Sequence, residues 1–175
     1  MFTYAKDNQV LSILEGYSDV FRYEYAQLSA GKFRSWPESF KYDGSWKAFG
    51  FYTEGRKLKV PSSMCPLTVE YLEGLGRIVQ AGFSKLAAGA VIKPHIDEVP
   101  KGIKRIHVGI DVPFGDCRFR VGSETVAWEN GKAFMFDPYV EHEVWNRTAH
   151  DRVILLLDYA EIHNDFFDVE VVGGD

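Results

Sequence analysis

From residue 77 onward, apolar residues occur in short runs that are separated by turn-forming residues. The runs predicted to be strands are Arg77–Leu86, Val91–Pro94, Lys104–Val112, Cys117–Val121, Thr125–Trp128, Ala133–Asp137, Glu143–Asn146 and Arg152–Ala160. Glycine, proline or asparagine separates these runs, and many short strands at such spacing are typical of an all-β sandwich or barrel. Asn130-Gly131 is a strong signal for a two-residue hairpin.

The residues before this point mix helical and extended patterns. Helices are predicted for Asp7–Leu14, with Asp7 as N-cap, and for Pro66–Leu75, where leucines recur at helical spacing after an initial proline. Val20–Tyr25 and Ala48–Thr53 are predicted to be strands because they are rich in β-branched or aromatic residues. Gly31–Phe40 contains glycine, serine and proline and is predicted to be a loop.

One predicted strand, from Lys104 to Asp111, alternates strictly between apolar and other residues. Three aliphatic residues occupy one face, and Arg105 and His107 lie side by side on the other. A strand with one face in solvent would show the same alternation. If the polar face instead lines a barrel interior, Arg105 and His107 become contacts for an anion.

Composition limits the classes of protein that fit. The 175 residues are 46% hydrophobic and 15% aromatic, which suits a single folded domain (residues 1–175, core about 42–160) rather than a disordered chain. The net charge of −5 indicates no general affinity for nucleic acid, and no apolar run reaches the roughly 18 residues of a membrane span.

Cys65 and Cys117 lack metal-ligand spacing and are expected to be reduced and buried. A cytoplasmic location is expected, because the first residues lack the features of a signal peptide.

The candidate chemistry lies in His95, Asp97 and His142. His95 and Asp97 are two positions apart, so in an extended segment their side chains point to the same face. Two histidines and one carboxylate are the ligand set of the facial triad of non-haem Fe(II) oxygenases. The His-x-Asp pair alone also fits a turn carboxylate beside a core histidine. Arg152, ten residues after His142 at the head of an apolar run, favours the iron site because a buried guanidinium needs an anion such as 2-oxoglutarate.

A wider set of motifs resembles the aspartyl/asparaginyl β-hydroxylase family of Fe(II)- and 2-oxoglutarate-dependent oxygenases, in order and spacing over about two thirds of the chain. The matching motifs are Gly44-Ser45-Trp46, Gly55-Arg56, Cys65-Pro66-Leu67-Thr68, Phe83-Ser84-Lys85-Leu86, Gly89, Pro94-His95, Arg105-Ile106-His107-Val108-Gly109-Ile110, Pro113, Trp128-Glu129-Asn130-Gly131-Lys132, Phe136-Asp137, His142-Glu143-Val144-Trp145-Asn146, Arg152 and Asp158. The resemblance implies a mainly β fold, a double-stranded β-helix or jelly-roll core with a few flanking helices. It also implies O2, 2-oxoglutarate and Fe(II) as reactants and cofactor, with His95 and His142 as iron ligands.

The resemblance further implies how the cosubstrate binds. Arg152 would hold the distal carboxylate of 2-oxoglutarate, and Ser84 would add a hydrogen bond. Arg105 and His107 would meet a carboxylate nearer the metal, from the cosubstrate or the substrate. The best-known animal members have glycine at the position of Asp97, so a full three-ligand triad of His95, Asp97 and His142 is a departure that also argues against halogenation.

The sequence limits the class of substrate but does not identify the substrate itself. The expected reaction is hydroxylation of an unactivated C–H bond in a small molecule or peptide that bears a carboxylate, with release of succinate and CO2. A jelly-roll module that binds a metal or small acid without turnover is the alternative, and a zinc hydrolase with the same ligands ranks third.

No nucleic acid or membrane partner is expected. His150 and His163 are expected to be exposed, and Glu141 and Glu143 to point away from the metal.

Overall fold

Two antiparallel sheets pack face to face, and short helices cover the outer surface of the larger sheet. The computed structural model describes residues 1–160. The helices are α1 (Gln9–Gly16), α2 (Ser18–Ala26), α3 (Lys59–Met64) and α4 (Pro66–Leu75). The strands are β1 (Thr3–Tyr4), β2 (Arg34–Ser35), β3 (Tyr42–Asp43), β4 (Trp46–Thr53), β5 (Arg56–Lys57), β6 (Ile78–Leu86), β7 (Val91–His95), β8 (Ile103–Asp111), β9 (Cys117–Val121), β10 (Glu124–Val126), β11 (Ala133–Phe136), β12 (His142–Asn146) and β13 (Arg152–Ala160).

The chain passes back and forth between the two sheets. The eight-stranded sheet has the order β1-β11-β8-β13-β6-β4-β2, with β5 paired to β4, and the five-stranded sheet has the order β10-β9-β12-β7-β3. From β6 onward the chain moves between the two sheets. Strands β6, β8, β11 and β13 belong to the larger sheet, and β7, β9, β10 and β12 belong to the smaller one. This arrangement confirms the predicted jelly-roll fold, and the strands predicted after residue 77 are all present within about two residues of their expected bounds.

Side chains alternate across the central strands of the larger sheet and so form two buried layers. On β8, Ile106 and Val108 join the core under the helices, whereas Arg105 and His107 line the space between the sheets. The same alternation on β13 turns Arg152 inward. The polar face of the Lys104–Asp111 segment therefore lines the interior of the fold and not the solvent.

Val20–Tyr25 was predicted to be a strand, and that prediction is wrong because the segment lies within α2. Ser18, Phe21 and Glu24 are buried at a spacing of three residues, which is a helical spacing. The ring of Phe21 packs edge-on against Tyr71 of α4, with 6.4 Å between centroids. Burial of this stripe against α4 outweighs the modest strand preference of aromatic and β-branched residues.

The hairpin predicted at Asn130-Gly131 is also absent, although a turn is present there. Gly131 has a φ of +77°, as a turn requires. Its flanking strands pair elsewhere, β10 with β9 and β11 with β8 and β1. The loop crosses β8 instead, where the Gly131 amide donates to the Gly109 carbonyl at 2.9 Å. A Cβ at Gly109 would lie 2.1 Å from the Glu129 carbonyl oxygen, so this close crossing requires glycine.

Smaller differences concern the ends of elements. Asn8, and not Asp7, caps α1, and its side chain accepts from the Leu11 amide at 3.2 Å. α4 spans Pro66–Leu75 as predicted, and β4 begins two residues before the predicted Ala48. The segment predicted to be a loop, Gly31–Phe40, contains the short strand β2 and parts of two 3-10 turns, Ala30–Lys32 and Ser39–Lys41, joined by irregular chain.

Cys65 and Cys117 are free and buried, as expected from their spacing. No helix within residues 1–160 is long and apolar enough to cross a membrane. His163 and the acidic end of the chain lie outside the described residues.

Glu24 ties α2 to the start of α4. Its side chain is buried, and its two carboxylate oxygens accept from the amides of Leu67 at 2.9 Å and Thr68 at 2.7 Å. Amides in the first turn of a helix have no partner within the helix, and an anion there is favourable. We expect Glu24→Ala to lower the free energy of unfolding by about 1–3 kcal/mol, measured by urea denaturation. Glu70→Ala, at an exposed position of α4, is the control and should change it by less than about 0.5 kcal/mol; equal effects would contradict the capping role.

Candidate metal centre

Neighbouring strands of the smaller sheet bring the two candidate histidine ligands together. The register of β7 and β12 places His95 directly opposite His142. Asp97 follows the end of β7, where its amide donates to the Pro138 carbonyl at 3.1 Å. Nε2 of His95 lies 3.5 Å from Oδ1 of Asp97, and Nε2 of His142 lies 3.4 Å from Oδ2. One ligand atom from each of the three residues lies within 4.8 Å of the others, so the structure assembles the predicted triad.

Backbone carbonyls orient both imidazole rings. Nδ1 of His95 is 2.7 Å from the carbonyl oxygen of Lys93, and Nδ1 of His142 is 2.9 Å from that of Val140. A carbonyl oxygen can only accept, so Nδ1 carries the proton and Nε2 is the atom that faces Asp97. A neutral ring in this tautomer presents the Nε2 lone pair, as a metal ligand must. Two such nitrogens and a carboxylate fit Fe(II).

Positive side chains surround the carboxylate of Asp97, which is itself buried. Nζ of Lys41 lies 3.2 Å from Oδ1, and Nη1 of Arg105 donates to Oδ2. Burial raises the pKa of Asp97, but the side-chain contacts with His142 and His95 and the charge of Arg105 together lower that pKa well below its usual range. Asp97 therefore stays ionised at neutral pH and is ready to bind a cation.

Arg105 is held by two carboxylates of the protein. Its Nε donates to Oδ1 of Asp158 at 2.7 Å and its Nη2 to Oδ2 at 2.9 Å, while Nη1 reaches Asp97. Asp158 on β13 lies directly across from Arg105 on β8, and both are buried. Arg105 was predicted to contact an anion of the cosubstrate or substrate, and in the structure the anions that it contacts are the carboxylates of Asp158 and Asp97.

Arg152 has the opposite surroundings. It is 1% exposed, and its Nε and Nη2 have no hydrogen-bond partner. None of the ion pairs among residues 1–160 includes it, and its guanidinium lies 4.7 Å from the centre of the Trp128 ring. Burial lowers the pKa of Arg152 to about 10, with a small opposing effect from Cys117. The side chain is still charged at neutral pH, and a buried charge without a partner is unfavourable unless an anion binds.

His107 adds a further unused donor beside Arg152. Burial, together with the charges of Arg152 and Arg105, lowers the pKa of His107 well below its usual value, so the ring is neutral. The Trp128 indole can only donate, and it lies 3.3 Å from Nδ1, so the His107 proton is on Nε2. That Nε2 is buried and has no partner. Nearby, Oγ of Ser84 accepts from the Trp46 indole at 2.9 Å, which leaves its own hydrogen free to donate.

These donors border one space between the sheets. The enclosed part measures about 20 Å³ and is lined by His95, His142, Arg105, His107, Arg152 and Ser84, among others. A mouth of about 640 Å³ opens from His95 and Asp97 and is lined by Lys41 and Lys93. A mainly apolar groove of about 680 Å³ lies on another side, and Ser84 and Leu156 line both the groove and the enclosed space. Solvent therefore reaches the triad through the mouth.

The other polar residues near the site have structural roles. Glu141 and Glu143 point away from the triad and pair with Arg120 at 3.0 and 2.5 Å. His150 is exposed, as predicted. Asp137 forms a turn, where its Oδ1 accepts from the Tyr139 amide at 3.0 Å.

Sequence reasoning missed two residues of the site. Lys41 comes from a short 3-10 turn before β3, and nothing in its local sequence distinguishes it from a surface lysine. Asp158 was recognised as part of a motif but received no role. A buried strand that ends with an acidic residue is itself a signal that a buried cation lies nearby.

Solved structures with the same architecture include oxygenases of low sequence identity. An oxidoreductase of the 2OG-Fe(II) oxygenase family from Burkholderia pseudomallei superposes with a TM-score of 0.58 at 14% identity, covering 80% of this chain and 76% of that one. A prolyl-4-hydroxylase from Pseudomonas putida superposes with a TM-score of 0.54 at 15% identity, covering 82% of this chain and 86% of that one. Similarity at this level of identity establishes the jelly-roll fold.

Sequence relatives are more informative about the family. A mouse aspartyl/asparaginyl beta-hydroxylase is 32% identical over 133 residues, covering 73% of this chain and 18% of the relative. An ornithine lipid ester-linked acyl 2-hydroxylase from Rhizobium tropici is 31% identical over 121 residues, covering 68% of this chain and 43% of the relative. The chain thus spans less than half the length of either protein. The sequence model of the aspartyl/asparaginyl beta-hydroxylase family matches residues 15–161, and the chain belongs to that family.

Proposed function

We propose that the protein is an Fe(II)- and 2-oxoglutarate-dependent dioxygenase that hydroxylates an unactivated C–H bond. One observation carries the proposal: His95 and His142 of the triad border the same space as Arg152, a buried arginine with two unused donors, and Asp97 completes the triad beside them. The triad is a suitable donor set for Fe(II), and the unused donors call for an anion. Family membership supports the same reaction class.

The residues around this space would bind the metal and the two carboxylates of 2-oxoglutarate. His95, Asp97 and His142 would hold Fe(II), and the negative charge of Asp97 would offset one of its two positive charges. Arg152 and the Ser84 hydroxyl would receive the distal carboxylate of 2-oxoglutarate, and Nε2 of His107 would donate to a carboxylate nearer the metal. When bound, the metal and 2-oxoglutarate supply the oxidising chemistry that inserts one oxygen atom of O2 into the substrate C–H bond, with release of succinate and CO2.

Binding of 2-oxoglutarate requires the interior to widen. The enclosed space holds about one water molecule, which is less than a five-carbon dicarboxylate needs. Leu156 and Ser84 line both this space and the apolar groove, so the groove is the neighbouring volume into which the space could extend. The aromatic side chains around the site, including Trp46 and Phe119, would then exclude water from the bound cosubstrate.

The substrate would approach through the mouth beside the triad. Lys41 and Lys93 line this mouth, and His95 and Asp97 form its inner end. Both lysines pair with carboxylates of the protein, Lys41 with Glu38 and Asp97 and Lys93 with Asp43, and Glu38 and Glu98 also line the mouth, so its charges are mixed. A substrate that bears a carboxylate, such as an amino acid or a residue of a peptide, is therefore proposed from the names of the aspartyl/asparaginyl relatives. The relatives include both an aspartyl/asparaginyl hydroxylase and an ornithine lipid acyl hydroxylase, so a lipid is the competing class of substrate.

Anaerobic titration with Fe(II) and then 2-oxoglutarate tests the proposal. We expect a visible charge-transfer band when 2-oxoglutarate chelates the metal, saturating at one equivalent of each. Succinate should then form when O2 and a substrate are supplied. Tight metal binding without such a band, or a band without succinate in any substrate screen, would favour a binding module that does not turn over.

A further inference from the structure

The two inward-facing arginines differ in how many of their donors are already used. Arg105 makes three hydrogen bonds to protein carboxylates, two to Asp158 and one to Asp97. Arg152 leaves Nε and Nη2 unpaired although it is equally buried. A buried arginine with its donors filled by carboxylates is poorly placed to receive another anion, because a new ligand must first displace one of them.

The pairing of Arg105 with Asp158 is fixed by the sheet. β8 and β13 are adjacent central strands, and their register places the two residues directly opposite each other. Each hydrogen bond of the bidentate pair is between 2.7 and 2.9 Å, and Asp158 is 2% exposed. A planar guanidinium clamped along one edge in this way can present its remaining Nη1 in only one direction. That direction is towards Asp97.

Asp97 needs such support because it does not belong to a strand. It lies in the irregular segment after β7, where its neighbours Ile96 and Glu98 are exposed. Its carboxylate is held on both oxygens, Oδ2 by Arg105 and Oδ1 by Lys41. Lys41 comes from a short surface turn and also binds Glu38 at 2.7 Å, so the rigid support comes from the interior, through Arg105.

We propose that Arg105, clamped by Asp158, is a positioning residue for the third metal ligand, and that it is not the anion receptor of the site. Asp158 fixes Arg105, Arg105 fixes the carboxylate of Asp97, and Asp97 meets the metal together with His95 and His142. The assignment leaves Arg152 as the arginine that receives the cosubstrate. This inference rests on the proposed metal site.

Metal affinity measured without turnover provides the test. The double variant Arg105→Leu/Asp158→Leu removes both members of a buried ion pair at once, a change that proteins often tolerate. Co(II) is titrated into the metal-free protein, and both the Kd and the visible spectrum of the bound ion are recorded. We expect the Kd to rise by about 10–100-fold, as for other outer-shell partners of metal ligands, with an altered Co(II) spectrum. Arg22→Gln, which breaks an exposed pair with Asp19 on α2, is the control and should leave both unchanged.

A second variant keeps the test valid if the double variant does not fold. Arg105→Lys retains the buried charge opposite Asp158 but cannot bind two carboxylates in the same planar geometry. It should also weaken Co(II) binding, by a smaller factor. Unchanged Co(II) affinity and spectrum in a folded variant, with a raised Kd for 2-oxoglutarate, would overturn the inference and make Arg105 an anion receptor. If the unaltered protein binds no Co(II), the proposed function itself is wrong and this inference falls with it.

Discussion

Replacing His142 with alanine is expected to abolish turnover and to weaken metal binding by more than the roughly 10–100-fold that loss of an outer-shell partner causes. The substitution removes one of three ligands from a site whose ligand atoms lie within 4.8 Å of one another. The charge-transfer band with Fe(II) and 2-oxoglutarate should disappear, because the remaining His95 and Asp97 cannot hold the metal in a facial arrangement. Anaerobic titration followed by absorbance measures the loss directly.

His150→Ala is the matched control for this variant. His150 lies in an exposed turn between β12 and β13, away from the triad, so its removal should leave the band and the turnover rate unchanged. Circular dichroism and urea denaturation of His142→Ala should show that the metal-free fold is retained. Full activity in a folded His142→Ala protein would show that the triad is not the metal site.

Replacing Arg152 with methionine is expected to have opposite effects on stability and on cosubstrate binding. The arginine is a buried charge with two unsatisfied donors, so a similarly sized apolar side chain should raise the free energy of unfolding of the ligand-free protein by about 1–4 kcal/mol. The same change removes the charged donors for the distal carboxylate of 2-oxoglutarate. Since each such hydrogen bond contributes about 1.5–3 kcal/mol, the Kd for 2-oxoglutarate should rise by at least about 100-fold.

Urea denaturation of the metal-free protein and titration of 2-oxoglutarate into the Fe(II) form measure the two effects separately. Co(II) affinity should stay within about twofold of its original value, because no hydrogen bond or ion pair within residues 1–160 joins Arg152 to the triad. A surface arginine provides the comparison: Arg22→Gln, which breaks an exposed pair with Asp19, should change stability by less than about 1 kcal/mol and leave 2-oxoglutarate binding unaltered. Lower stability of Arg152→Met with normal 2-oxoglutarate affinity would mean that the side chain serves the fold alone.

The strands after residue 77 were predictable from sequence because each is a short apolar run between turn residues, whereas the two-residue strands β1, β2, β3 and β5 have no such pattern and were not predicted. Pairing was not predictable, since it depends on residues far apart in the chain. Gly131 shows the difference: its turn conformation was evident from sequence, but its flanking strands join different sheets. The wrong assignment of Val20–Tyr25 as a strand has the same cause. The helical conformation of this segment is stabilised by burial against Tyr71 of α4 and not by its own composition.

The candidate site was predictable to the extent that it follows local spacing. His95 and Asp97 are close in sequence, His142 and Arg152 were identified by their ten-residue spacing before an apolar run, and the family motifs supported all four. The contrast between the two interior arginines could not be predicted, because the sequence of a strand gives the direction of a side chain but not its partners. Only the register of β8 with β13 shows that Arg105 meets Asp158.

Arg152 and Asp158 are at opposite ends of one face of β13, the strand that crosses the middle of the larger sheet. Six residue steps of extended chain separate their Cα atoms by about 20 Å, so the backbone of this strand sets the spacing between Arg152 and the carboxylate that holds Arg105. Substitutions along the strand alter packing but keep that spacing. Inserting or deleting a single residue between them would turn one of the two side chains towards the helices. We therefore expect the fold to tolerate changes in the identity of the residues between Arg152 and Asp158 better than changes in their number.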